Sequence, residues 1–128
     1  MVWMNLKAQA YGVRRLYPEV TEMIVRHGAC PTGADKYAEE WVSEQAGKWP
    51  FTVSSDPMPA YWSGYGKNAG PKRNTAMVAK GADECMAFMR LGSRGTMDCL
   101  VKAIKAGIIT TVLHEEDSNN ETYATEAN

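Results

Sequence analysis

Short apolar runs alternate along the chain with stretches in which apolar residues recur at helical spacing. The apolar runs are typical of short buried strands and cover residues 23–25, 51–53, 85–89 and 108–113. Helices are predicted over residues 1–15, 36–46, 71–80 and 97–106. Strands that alternate with helices favour an α/β fold with a Rossmann-like, doubly wound and mainly parallel sheet.

Residues 54–70 interrupt this alternation with several prolines and glycines. In a compact domain, an irregular stretch of this length is usually functional or mobile. We therefore predict a long loop here. Within it, Trp62 and Tyr65 either stack on the base of a ligand or pack against the loop itself.

The first predicted strand runs into a glycine-rich turn and then a helix. Gly28 and Gly33 lack a Cβ, so the backbone can turn sharply there and approach a ligand. Thr32 is a suitable N-cap, and Asp35 falls in the first helical turn, where the helix dipole favours a carboxylate. Unpaired amides at such a helix start suit a phosphate. An ordinary strand-to-helix turn without a ligand is the alternative.

A second glycine-rich turn follows the third predicted strand and contains Gly92, Ser93, Arg94, Gly95 and Thr96. Ligands of doubly wound sheets bind beyond the carboxyl ends of the strands, which is where both turns fall. Two turns of this kind at one edge predict an anion site.

Composition places the chain among ordinary globular proteins, with 128 residues, 45% hydrophobic and 23% charged. We predict one domain over residues 1–114 and an acidic, disordered tail over residues 115–128. The first 114 residues carry 14 basic and 10 acidic side chains, a net charge of +4. This modest charge suits a small anionic ligand better than DNA.

The three cysteines, Cys30, Cys85 and Cys99, have no metal-ligand spacing and form no even-numbered set, which favours a reduced, cytoplasmic setting. Cys30 and Cys99 are expected to be small buried side chains. No apolar run approaches membrane-spanning length. We predict no metal, no cofactor and no membrane partner.

Three ordered blocks of the sequence, residues 28–35, 66–74 and 87–96, resemble the SLOG superfamily and, within it, the YspA or cpYpsA-related family. That family is common in actinobacteria and their phages. The resemblance implies a Rossmann-like sheet that binds a nucleotide or a nucleotide-derived phosphorylated molecule, as a sensor or accessory protein. Members usually begin with a β-strand that this chain lacks ahead of its first helix. We therefore expect that the chain starts late, or that another segment or subunit, as in a homo-oligomer, fills the gap.

A more distant relative by resemblance is the "lonely guy" phosphoribohydrolase, which releases the base from a nucleoside monophosphate. Its phosphate loop matches this chain at Gly92, Gly95 and Thr96, and Arg73 matches an upstream arginine. Cys99 stands where that enzyme has its catalytic glutamate, and a thiol does not stabilise an oxocarbenium ion as a carboxylate does. Asp98 is adjacent, but on a helix it points about 100° away. Hydrolysis is therefore a second hypothesis, with Arg73 and Asp98 as weak catalytic candidates.

The predicted ligand-binding residues lie in the two glycine-rich turns and in the block between them: Gly28, Thr32, Gly33, Asp35, Lys67, Arg73, Asn74, Gly92, Ser93, Arg94, Gly95 and Thr96. Arg73 and Arg94 are expected to contact an anion, since both lie beside glycines at the predicted sheet edge. Asp35 is expected to orient the ligand or cap the helix rather than act as a base. Asn74 is expected to hold its loop in place, and His27 to be a hydrogen-bonded structural residue.

Overall fold

A computed structural model describes residues 1–90, 93–114 and, for the backbone alone, 121–123. Gly92, one of the predicted ligand-binding residues, therefore lies outside the described residues, as does most of the predicted tail. The chain divides into two compact units, Met1–Pro59 and Ala60–Asn128. That residues 1–114 form a single domain stays a prediction.

The first unit is built from two helices and two strands: α1 (Val2–Leu16), β1 (Glu22–His27), α2 (Gly33–Ser43) and β2 (Thr52–Pro57). β1 and β2 pair in parallel, with Glu22 opposite Thr52 and His27 opposite Pro57. This confirms the predicted strand–turn–helix–strand order. It also places the first glycine-rich turn at the carboxyl end of β1.

The core of the first unit lies between its helices. Leu6 and Ala10, which share one face of α1, are buried, and so are Ala38 and Trp41 of α2. Trp3, also in α1, keeps 40% of its surface exposed. Its indole N–H, which needs a partner, donates to a main-chain carbonyl of α2 at 3.0 Å.

The second unit begins with helical segments and ends in a sheet. Its elements are α3 (Trp62–Tyr65), a 3-10 turn (Gly66–Asn68), α4 (Ala69–Ala79), β3 (Glu84–Met89), α5 (Arg94–Lys105), β4 (Ile109–His114) and β5 (Glu121–Tyr123). β3 and β4 pair in parallel, and β5 pairs antiparallel with β4. Apolar side chains from β3, α5 and β4 form the core, with Ala87, Leu100 and Val112 buried at its centre.

The prediction of one long loop over residues 54–70 is wrong. Residues 54–57 belong to β2, residues 62–70 are helical, and only residues 58–61 have no regular structure. Two serines and an aspartate give this part of β2 little strand propensity. The strand forms because β1 supplies its hydrogen bonds, and because Arg26 of β1 binds Asp56 of β2 at 2.7 Å.

Within the part of the chain that the structure describes, the strands form two sheets, one of two strands and one of three, where the sequence predicted a single sheet. Residues 121–123, which were expected to be disordered, form β5. Their pairing with the β-branched strand β4 supplies backbone hydrogen bonds that the acidic composition of the segment does not predict. α5 also begins earlier than expected, so that Arg94, Gly95 and Thr96 form its first turn.

Candidate functional site

The second glycine-rich turn leads into the N-terminus of α5. Ser93 is the N-cap residue, and its hydroxyl donates to the Thr96 hydroxyl at 2.8 Å rather than to a main-chain amide. The amides of a first helical turn have no partner within the helix and carry a partial positive charge. A Cβ built on Gly95 would meet no heavy atom within 4 Å, so this turn has open space beside its backbone.

A cavity of about 450 Å³ adjoins this helix start and is lined by Met89, Arg90, Ser93, Arg94, Met97 and Asp98. Arg90 follows the end of β3, and Arg94 is the first residue of α5. Arg94 is exposed and makes no ion pair or side-chain hydrogen bond with any residue that the structure describes. The two guanidinium groups and the helix start together provide positive charge in a cavity with one carboxylate.

Asn74, expected to hold its own loop in place, lies in α4 and binds the first turn of α5 instead. Its side chain is only 2% exposed. The amide nitrogen donates to the Gly95 carbonyl at 3.2 Å and to Asp98 Oδ2 at 3.0 Å. The amide oxygen accepts from Nε of Arg73 at 2.8 Å. Arg73, expected to contact an anion, is therefore bound to Asn74 through one of its nitrogens.

Asp98 accepts a second hydrogen bond on the same oxygen, from Lys102 Nζ at 2.8 Å. That ammonium also donates to the main-chain carbonyl of Pro71 at 2.9 Å, which links α5 to the start of α4. Burial opposes ionisation of Asp98, but the hydrogen bonds from Lys102 and Asn74 outweigh it and lower the pKa of the carboxyl. The negative charge of Asp98 is thus neutralised locally by Lys102.

The first glycine-rich turn has the opposite electrostatic character. A cavity of about 280 Å³ beside it is lined by His27, Ala29, Cys30, Asp35, Lys36, Glu39, Glu40 and Pro57. Three of these residues are acidic and one is a lysine. Oδ2 of Asp35 accepts the main-chain N–H of Cys30 at 3.2 Å, so this carboxylate occupies the place that a bound anion would take. Thr32 is the N-cap residue of α2 as predicted, although its hydroxyl makes no capping hydrogen bond.

His27 is a buried, hydrogen-bonded residue as expected, and it belongs to a hydrogen-bonded chain whose other members the sequence did not predict. Ala29, in the left-handed conformation with φ 57°, donates its N–H to Nδ1 of the buried His27 at 3.1 Å. Nε2 of His27 therefore carries a hydrogen and donates it to Glu39 at 2.7 Å. Ser55 of β2 donates to the other oxygen of Glu39 at 3.2 Å. The hydrogen bonds from His27 and Ser55 lower the pKa of Glu39.

Of the remaining predicted residues, two glycines belong to the first unit and Lys67 belongs to the second. Gly28 and Gly33 flank the turn of the first unit, and Gly33 has a φ of 73°, which a residue with a Cβ rarely adopts. Lys67 lies exposed in the 3-10 turn of the second unit. The structure thus brings Asn74, Arg73, Ser93, Arg94, Gly95 and Thr96 into one neighbourhood.

The three cysteines are free thiols with different environments. Cys30 is exposed, which corrects the expectation that it is buried, because the turn that holds it lies outside the core. Cys99 is half-buried. Burial, followed by the neighbouring Cys99, raises the pKa of the Cys85 thiol to about 11.

We expect iodoacetamide at pH 8 to modify Cys30 first and Cys85 last. The thiolate is the reactive form, and a pKa of about 11 leaves less than about 1% of Cys85 ionised at that pH. Peptide mass spectrometry over a time course measures the three rates, with a denatured sample as the control for intrinsic reactivity. Equal rates for Cys30 and Cys85 in the folded protein would contradict this prediction.

Two features are absent from the described residues. They contain no group of three metal-ligating side chains arranged to hold an ion. None of their helices has both the length and the apolar character that crossing a membrane requires.

The fold and the site define an α/β protein with parallel strand pairs, in which a glycine-rich turn and two arginines surround a helix start. The chain belongs to the same family as the Gene 61 protein of Mycobacterium phage D29, to which it is 42% identical over 88 residues, covering 67% of each chain. The name of that relative states no activity. A phage relative is consistent with the expected occurrence in phages. No family model and no solved structure matches the chain.

Proposed function

We propose that the N-terminal end of α5 binds the phosphate of a nucleotide or of a nucleotide-derived small molecule. The observation that carries this proposal is the cavity of about 450 Å³ in which Arg90 and Arg94 adjoin the first turn of α5. Main-chain amides at a helix start and guanidinium groups are both strong partners for phosphate oxygens. The volume lies within the range of small-ligand sites, roughly 300–1,000 Å³.

The contrast between the two turns supports this choice of phosphate site. In the first unit, Asp35 already accepts a turn amide, and Glu39 and Glu40 line the same cavity. A phosphate would meet three like charges there, which is unfavourable. In the second unit, Arg94 has no anionic partner among the described residues, and Gly95 leaves the backbone open.

The finer assignment, a Rossmann-like domain of the SLOG superfamily, is part of the same proposal. It is supported by two strand–turn–helix segments, each followed by a parallel strand, and by glycine-rich turns at the carboxyl ends of β1 and β3. The free thiols support a reduced, cytoplasmic setting. In this proposal the protein acts as a sensor or accessory protein that binds its ligand without turnover.

A phosphoribohydrolase is the second candidate, because Asp98 lines the cavity and has a lowered pKa. Cleavage of an N-glycosidic bond needs a carboxylate fixed beside the ribose as positive charge develops. Oδ2 of Asp98 is already occupied by Asn74 and Lys102, and Lys102 offsets its charge. We therefore favour binding over hydrolysis.

Arg94→Ala is expected to weaken binding of a nucleoside monophosphate by about ten- to a hundredfold. The loss of one charge-assisted hydrogen bond to phosphate costs roughly 1.5–3 kcal/mol. Gly95→Val should also weaken binding, since its side chain would fill space that no protein atom occupies. Isothermal titration calorimetry with the adenosine, guanosine, cytidine and uridine monophosphates measures the affinities.

Arg15→Ala is the matched control, since Arg15 is an exposed arginine of α1 in the first unit. It should leave the affinity unchanged. The absence of binding to all four nucleotides, or equal losses in Arg94→Ala and Arg15→Ala, would overturn the proposed function. Chromatography of the same mixtures detects free base. Release of base that Asp98→Asn abolishes would establish the hydrolase instead.

A further inference from the structure

Three large aromatic side chains lie exposed within five residues of each other, at α3. Tyr61 is 64% exposed, Trp62 59% and Tyr65 52%. We call these three residues, together with the neighbouring Lys67 and Lys72, the aromatic surface. Exposed aromatic residues in a cluster mark interaction sites far more often than single exposed residues do.

Glycines allow the rings of the aromatic surface to lie against the backbone. A Cβ on Gly64 would overlap the ring of Tyr61, and one on Gly70 would lie 3.3 Å from Cη2 of Trp62. Tyr61 and Tyr65 also pack edge to face, with ring centroids 5.8 Å apart. The rings are thus held in place while more than half of each side chain contacts solvent.

The charge around these rings is positive. The Lys72 ammonium lies 4.8 Å from the centroid of the Tyr65 ring. Residues 57–82 contain four basic side chains and no acidic one. The expectation that a small anionic ligand suits the chain better than DNA comes from the net charge of residues 1–114, whereas here the charge is concentrated on one segment that also carries the aromatic rings.

We propose that the aromatic surface binds single-stranded nucleic acid. Unpaired bases stack on the exposed rings, and Lys67 and Lys72 neutralise adjacent phosphates. Stacking needs unpaired bases, so double-stranded nucleic acid is a poor ligand. Neither stacking nor the phosphate contacts depend on base identity, so little sequence preference is expected.

A membrane surface is the other ligand to which a combination of aromatic and lysine side chains can bind. Interfacial segments insert a broad apolar face rich in leucine, isoleucine or phenylalanine. Residues 57–82 contain none of these three residue types. The composition therefore favours nucleic acid over lipid.

The experiment is fluorescence anisotropy with fluorescein-labelled 12-nucleotide oligo(dT) and oligo(U), and with a 12-base-pair DNA duplex, at 50 mM salt. We expect one or both single strands to bind and the duplex to bind at least tenfold more weakly. Trp62→Ala and Tyr65→Ala should each weaken single-strand binding by about five- to a hundredfold. Lys72→Gln should weaken it and make the affinity less dependent on salt.

Tyr37→Ala is the matched control, since Tyr37 is a tyrosine of the first unit that is 50% exposed. It should bind as the unmodified protein does. Arg94→Ala should weaken oligonucleotide binding much less than Trp62→Ala does, which separates this proposal from the phosphate site of the proposed function. Circular dichroism verifies that each variant is folded.

Several results would overturn the proposal: no binding of either single strand, equal binding of the duplex, or equal losses in Tyr37→Ala and Tyr65→Ala. A loss in Arg94→Ala as large as that in Trp62→Ala would place the strand at the phosphate site instead. Binding to vesicles of phosphatidylcholine and phosphatidylserine in place of the oligonucleotides, measured by co-sedimentation, would identify the aromatic surface as a membrane contact.

Discussion

Replacing Asn74 with leucine is expected to lower the free energy of unfolding by about 2–3 kcal/mol. Leucine has the same branched shape and the same number of side-chain heavy atoms, but it neither donates nor accepts hydrogen bonds. The substitution removes one hydrogen bond each from the Gly95 carbonyl, from Nε of Arg73 and from the Asp98 carboxylate, which keeps its bond to Lys102. Because Asn74 is only 2% exposed, water cannot replace it fully. Urea denaturation followed by circular dichroism measures the loss.

Thr75→Ala is the control for the Asn74 substitution. Thr75 is the next residue of α4, is exposed, and donates its hydroxyl only to the Pro71 carbonyl one helical turn away. Its loss should change the free energy of unfolding by less than about 0.5 kcal/mol. If Asn74→Leu has the same free energy of unfolding as the unmodified protein, Asn74 is not the link between α4 and α5 that its contacts indicate.

The pH dependence of the free energy of unfolding provides a second test of the Asn74→Leu substitution. The pKa of Asp98 is lowered in the folded protein, so ionised Asp98 adds stability above its unfolded pKa, near 3.8. That contribution is lost as the pH falls through the folded pKa. Asn74→Leu removes one of the hydrogen bonds that lower this pKa. The variant should therefore lose less stability than the unmodified protein as the pH falls below about 4.

The alternation of strands and helices was predictable because each element carries its own periodic signal. β2 was only half predicted, since the signal ends at Val53 while the strand continues to Pro57. The extension depends on pairing with β1 and on the ion pair between Arg26 and Asp56, two interactions across about 30 residues. β5 was not predicted for the same reason: its three residues form a strand by pairing with β4, and nothing in their own sequence indicates that pairing.

The two glycine-rich turns look alike in sequence, yet the structure gives them opposite charge. Part of this difference in charge could have been predicted from the spacing of the acidic residues along the predicted helix. Asp35 and Glu39 are four residues apart and share a face of α2, which a helical projection would have shown. Arg90 directly follows β3, close to the second turn, and could have been added to Arg94 by the same reasoning. No local sequence pattern indicates the hydrogen bonds of Asn74 to α5, because they join residues more than 20 positions apart.

Trp41→Ala is expected to lower the free energy of unfolding by about 3–5 kcal/mol, the largest effect that we predict. Trp41 is 2% exposed and belongs to the face of α2 that is buried with Ala38. Truncation removes the contacts of a whole indole ring and leaves a cavity that the surrounding helices and strands fill only in part. Since tryptophan fluorescence changes with the substitution itself, circular dichroism in urea is the appropriate measurement.

Trp62→Ala provides the matched comparison, because it removes the same side chain from a position that is 59% exposed. Its ring packs on Gly70 but belongs to no buried cluster among the described residues, so we expect a loss below about 1 kcal/mol. A folded Trp62→Ala variant is also what makes its loss of oligonucleotide binding interpretable. Similar losses of stability in Trp41→Ala and Trp62→Ala would contradict the assignment of Trp41 to the core and of Trp62 to the surface.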